Sequence, residues 1–130
     1  MDNKTRKYLD NLRSEERDLQ NQAFFHILKA TEKPVDWAYE VWDELVEGLR
    51  HKDNHVRAIS AQILCNLAKS DPKNRMQKDF QALMAVTKDE RFVTARHCLQ
   101  SIWKVGASGK EMQKTVVEAF AERFRDCAAE

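Results

Sequence analysis

Apolar residues recur along the chain at steps of three and four. In "NHVRAISAQILCNLAK" the set Val56, Ile59, Ile63 and Leu67 is spaced 3, 4 and 4. "RFVTARHCLQSIWKV" repeats that spacing with Phe92, Ala95, Leu99 and Trp103, and "EMQKTVVEAFAERF" places Met112, Val116, Phe120 and Phe124 four apart. Val41, Trp42, Leu45 and Leu49 form another such row after Pro34. A period near 3.6 residues lays these side chains along one side of a helix, so each row predicts a helix with a buried stripe. No segment alternates apolar and polar over the length of a strand, and an all-α fold follows. Trp42 and Trp103 lie on these rows and are expected in the core. Trp37 and Tyr39, near a helix start, are candidate binding aromatics instead.

The predicted boundaries carry their own signals. Asp71-Pro72 sets an N-cap acceptor before a proline whose missing N–H costs nothing at the first helical position. Ser108 and Glu111 match a capping box, and Gly106 follows Val105 where a helix end favours a residue that tolerates positive φ. The intervening linkers are only a few residues long, which favours antiparallel neighbours.

The stretch "LRHKDNHV" at 49–56 aligns with "AVTKDERF" at 85–92, a shift of 36, and with "LRSEERDL" at 12–19, a shift of 37. Each copy closes one helix on an apolar residue, sets an acid four positions later (Glu16, Asp53, Asp89), and opens the next helix on Leu19, Val56 or Phe92. This recurrence decides a local ambiguity. His51, Asp53 and His55 resemble a cluster of metal ligands, but the aligned copies keep the acid and replace the histidines by Ser14 and Asp18, then by Thr87 and Arg91. Asp53 is therefore expected to cap the helix 54–69, with His51 and His55 as variable positions of that turn. No further ligand at suitable spacing completes a site, so no metal or other cofactor is expected.

Composition adds little against this picture. The chain of 130 residues is 42% apolar and 33% charged with three glycines and two prolines, which suits one helical domain over 1–130. No apolar run approaches the roughly 20 residues needed to cross a bilayer, so no membrane partner is expected. Cys65, Cys98 and Cys127 make no C-x-x-C pair and are expected as reduced thiols of a cytoplasmic protein. His97 and Cys98 are adjacent but point in different directions on a helix, and no phosphate loop, G-x-S-x-G or H-E-x-x-H occurs, so no catalytic residue is expected. Charge is uneven. Residues 1–49 carry seven Lys/Arg against eleven Asp/Glu, residues 50–110 twelve against five, and residues 111–130 three against five. A basic middle between acidic ends hints at an anionic partner.

The run "DNHVRAISAQILCNLA" resembles the second helix of a HEAT repeat, in which a turn Asp is followed by Val-Arg and then small and aliphatic residues; "DERFVTARHCLQSIWKVG" is a looser copy. The resemblance, strongest over 36–106, implies a right-handed α-solenoid of about three to three and a half hairpins: 4–30, 36–69, 73–105 and a half repeat at 110–127. The family's Arg falls at Arg57 but is replaced by Gln20 and Val93, which implies a weakened Asp–Arg ladder. The second helices line the concave face in this family. Their cations Arg57, Arg91, Arg96 and Lys104 thereby become candidate binding residues, with Lys73, Arg75, Lys78 and Lys88 toward the opposite side. The function implied is a non-catalytic scaffold that holds a protein or peptide partner. The alternative is nucleic-acid binding, similar to alkylpurine DNA glycosylases built of HEAT-like repeats, although their catalytic Asp does not map onto this chain. End repeats need a polar outer side, and "RFRDCAAE" provides none, which implies truncation of the solenoid or oligomerisation through this end.

Overall fold

The chain folds into helices α1 (Asn3–Asn11), α2 (Arg17–Ala30), α3 (Ala38–Gly48), α4 (Asn54–Leu67), α5 (Arg75–Val86), α6 (Phe92–Ser101), α7 (Trp103–Gly106) and α8 (Lys110–Ala129). A 3-10 turn, Ala68–Ser70, prolongs α4. This computed structural model describes residues 1–129, and no strand occurs among them, so the all-α expectation holds. α1 packs on α2, α3 on α4, α5 on α6 and α7 on α8; α4 also lies against α2, α5, α6 and α7, and α3 against α5.

α4 is the centre of the core. The row Val56, Ile59, Ile63 and Leu67 is buried as the periodicity predicts, but so are Ala58, Ser60, Ala61, Leu64, Cys65 and Asn66. A helix apolar or small nearly all round can be enclosed by neighbours on most sides. The small residues set how closely those neighbours come. A Cβ added at Gly48 would lie 2.1 Å from Ser60 Oγ and 3.0 Å from Ser60 Cβ, so the end of α3 crosses α4 at a distance only glycine permits. Val41, Trp42, Leu45 and Leu49 of the α3 row are likewise buried. Trp42 is fully enclosed, and its indole N–H donates to Asp79 Oδ2 at 2.8 Å.

Several local expectations are corrected. α5 begins at Arg75, three residues beyond Pro72, because Asn74 turns through the left-handed region at φ 52. Asp71 still caps the helix: its two carboxylate oxygens accept from the N–H groups of Arg75 and Met76, each at 2.8 Å. Gly106 does not use positive φ. Ser108 turns back to donate to Val105 O at 2.6 Å, and α8 begins at Lys110, with Gln113 N–H bonded to Gly109 O.

The apolar row of α6 and α7 is the largest departure. Phe92 and Trp103 are 74% and 61% exposed, and the buried side is Thr94, Cys98, Ser101, Ile102 and Val105. Small and polar groups face inward because α6 lies close against α4, where Thr94 Oγ1 donates to Asn54 O at 3.3 Å. α8 follows its predicted row for one half only: Met112 and Val116 are buried, Phe120 is half-buried, and Phe124 is exposed.

Candidate functional site

The turn before each second helix shows what its polar residues do. Asp53 is the N-cap of α4 and accepts from His55 N–H at 2.9 Å, as the repeat implied. His51 is not a bystander. Its Nδ1 accepts from Asp53 N–H at 3.0 Å, and the aligned Ser14 Oγ accepts from Glu16 N–H at 3.1 Å. Both side chains tighten the turn in the same way, which answers why a short acceptor serves there as well as an imidazole. Among the described residues, no three His, Cys, Asp or Glu side chains gather where they could hold a metal.

The candidate cations divide. Arg57 is committed to the fold: Nε donates to Asp89 Oδ2 at 2.6 Å, Nη2 to Asp89 Oδ1 at 3.0 Å, and Nη1 to the carbonyls of His51 and Lys52. The bond to Asp89 raises the Arg57 pKa against the cost of burial. The same guanidinium, with the Arg91 amide, holds Asp89 below the usual carboxylate range although burial opposes it. A second rung runs from Arg17 Nη1 to Asp53 Oδ2 at 3.2 Å. Burial works to raise Asp53, yet the His55 amide and Arg17 outweigh it and lower its pKa. The ladder expected to weaken at Gln20 is thus continued from one turn earlier. Gln20 itself is buried and donates to Leu12 O at 3.1 Å while accepting from Arg17 at 2.8 Å.

Lys104 is committed as well. Its ammonium donates to Asn66 Oδ1 at 2.8 Å, and buried Asn66 donates in turn to Leu28 O at 3.1 Å and Thr31 Oγ1 at 3.0 Å. Lys69 joins this chain by donating to the carbonyls of Thr31 and Asn66, and burial, with Lys104 close by, lowers its pKa. Of the first-helix cations, Arg75 pairs with Asp43 and lies 5.1 Å over the Tyr39 ring. Trp37 is buried, and the Tyr39 hydroxyl donates to Asp71 and accepts from Lys73 N–H in the segment leading into α5, so both candidate aromatics are engaged within the fold.

Arg91 and Arg96 remain exposed. Arg96 lies 5.7 Å over the Phe92 ring, and Lys104 lies 6.0 Å over that of Trp103. Aromatic and arginine side chains on one exposed side are the residue types that dominate protein interfaces. The sequence pattern pointed to this aromatic row but assigned it to the core. Other concave features are a groove of about 220 Å³ on α2, α4 and α6, lined in part by Ala58 and Gln62, and one of about 420 Å³ between α5 and α8.

Thiol chemistry is suppressed where it is enclosed. Burial drives the Cys65 thiol pKa far up, with Cys98 nearby adding to it, and pushes Cys98 up to about 12. A thiol that stays protonated at neutral pH is a poor nucleophile. Cys127 is exposed. No helix of the described residues is long and apolar enough to cross a membrane. Compared with known proteins, the chain matches no family model, no curated sequence and no solved structure.

Proposed function

We propose that this chain is a HEAT-like α-solenoid that works as a binding module for a protein or peptide partner, without catalysis of its own. The solenoid reading is supported by polar ties whose partners lie nearly one repeat apart in sequence. Arg17–Asp53 spans 36 residues, Trp42–Asp79 spans 37, Lys104–Asn66 spans 38, and Arg123–Thr87 spans 36. Such ties let each hairpin stack on the next while satisfying the polar groups that the stacking encloses.

The binding reading rests on one observation above the others. Arg57 and Lys104 are spent on internal bonds, while Phe92, Arg96 and Trp103 stand exposed on one side of α6 and α7. Surface aromatics beside arginine match the composition of protein-binding hot spots.

A displayed peptide library selected on the folded protein tests this, with duplex and single-stranded DNA titrated in parallel at low and moderate salt. Saturable peptide binding with no DNA binding is the expected result. Sub-micromolar DNA binding that weakens steeply with salt and is lost on charge reversal of Arg91 and Arg96 would establish the nucleic-acid reading instead. Turnover of any substrate would overturn the non-catalytic assignment.

A further inference from the structure

α8 packs its second turn against Gly106, where an added Cβ would lie 3.5 Å from Val116, and reaches Thr87 farther along through Arg123, whose Nη1 donates to Thr87 Oγ1 at 2.5 Å. It therefore runs antiparallel to α6 and α7. α6 and α7 turn Thr94 and Lys104 toward α4, and the row Phe92, Arg96, Leu99, Trp103 points away from it. α8 turns Glu118, Glu122 and Asp126 toward α5, and the row Gln113, Val117, Phe120, Phe124 lies on its other side by the helical period. Val117 and Phe124 are 60% and 76% exposed. Two antiparallel helices thus present apolar rows along one outer face, several helical turns long.

Cations are the charged residues nearest to these rows. Lys114 and Arg125 follow Val117 and Phe124 around α8, and Arg96 edges the row on α6. The acids of α8 that line a described groove all line the one on the α5 side. We propose that the outer faces of α6–α7 and α8 form a groove for an amphipathic helix of a partner protein, with an apolar stripe flanked by acids. This rests on the binding-module reading above. Two apolar rows with i, i+3, i+4 spacing accept the stripe of one added helix, and the cationic rims favour carboxylates beside it. Leu99 and Phe120 are half-buried while Phe92, Trp103 and Phe124 are exposed, an uneven surface that suits a helix better than a flat bilayer.

Trp103 provides the readout, since Trp37 and Trp42 are buried. The probe is a helix-stabilised peptide of about 18 residues with Leu at i, i+3, i+4 and i+7, a helix-in-groove pattern. One version carries Glu on both flanks and its control carries Lys. Acrylamide quenching of Trp103 is followed as each peptide is titrated. The Glu peptide is expected to shield Trp103 saturably and less strongly at high salt. Phe92→Ala and Phe124→Ala should each weaken it roughly tenfold, and Arg96→Glu with Arg125→Glu should reverse the preference toward the Lys peptide. These side chains are exposed, and circular dichroism checks that the variants fold.

Equal binding of the two peptides, or indifference to the variants, overturns the proposal. So does shielding that appears only as protein concentration rises, which would assign the face to a second copy. Shielding by anionic phospholipid vesicles but by neither peptide would assign it to a membrane. Library-selected peptides that bind without shielding Trp103 would leave the binding module intact and sink only this groove.

Discussion

Arg57 and Asp89, 32 residues apart, face each other where α4 meets α6 and share two bonds, Nε to Oδ2 at 2.6 Å and Nη2 to Oδ1 at 3.0 Å. Their side chains are only 15% and 7% exposed. Removing one partner leaves the other charged in a largely enclosed place, so Arg57→Ala should destabilise the protein by roughly 2–4 kcal/mol. Urea unfolding of both proteins measures this. The exposed Arg96→Ala should shift the midpoint little, and equal effects of the two would refute the structural assignment of Arg57.

Acid should act through the same ladder. Asp53 and Asp89 have folded pKa values below the ordinary 3.8. The stability they contribute is complete above the unfolded value and is lost as pH falls through the lower folded values. Thermal midpoints of the wild type should therefore decline mainly below about pH 4. In Arg57→Ala the component due to Asp89 should shrink, giving a shallower decline over that range.

Gly48 and Ser60 form a second coupled pair. Gly48→Ala places a methyl group 2.1 Å from Ser60 Oγ and should cost about 1–3 kcal/mol. Adding Ser60→Ala removes the nearest atom and should restore part of that loss. A double-mutant cycle with purely additive effects would contradict the close crossing of α3 and α4.

The rows of α3 and α4 were legible in the sequence because the helices around them bury the side that is most apolar. The row of α6 misled for the opposite reason. Thr94, Cys98 and Ser101 are weaker apolar signals than Phe92, Leu99 and Trp103, yet they face the neighbours. The repeat located Asp53 as a cap but did not show that His51 and Ser14 share a task, since their side chains have only the acceptor in common. Candidate binding cations could have been sorted by looking one repeat away. Asp89 lies 32 residues ahead of Arg57 and Asn66 lies 38 behind Lys104, one somewhat short of the repeat and one just beyond it. Among the described residues no side chain bonds Arg96 in this way, and no local pattern in sequence shows such a difference.

Thiol reactivity should report burial. Cys65 and Cys98 are enclosed with pKa values pushed upward, whereas Cys127 is exposed. One thiol should react quickly with Ellman's reagent in the folded protein, and all three after unfolding in guanidinium. Rapid reaction of Cys98 in the native state would show that α6 opens readily.

Hydrogen exchange with a bound, library-selected peptide tests the binding account most directly. Slowed exchange should concentrate in α6, α7 and α8, over residues 92–106 and 110–127, with α2 unchanged. Protection confined to α2 and α4 would place the binding surface elsewhere and sink the groove, and no protection at all would contradict the binding account itself.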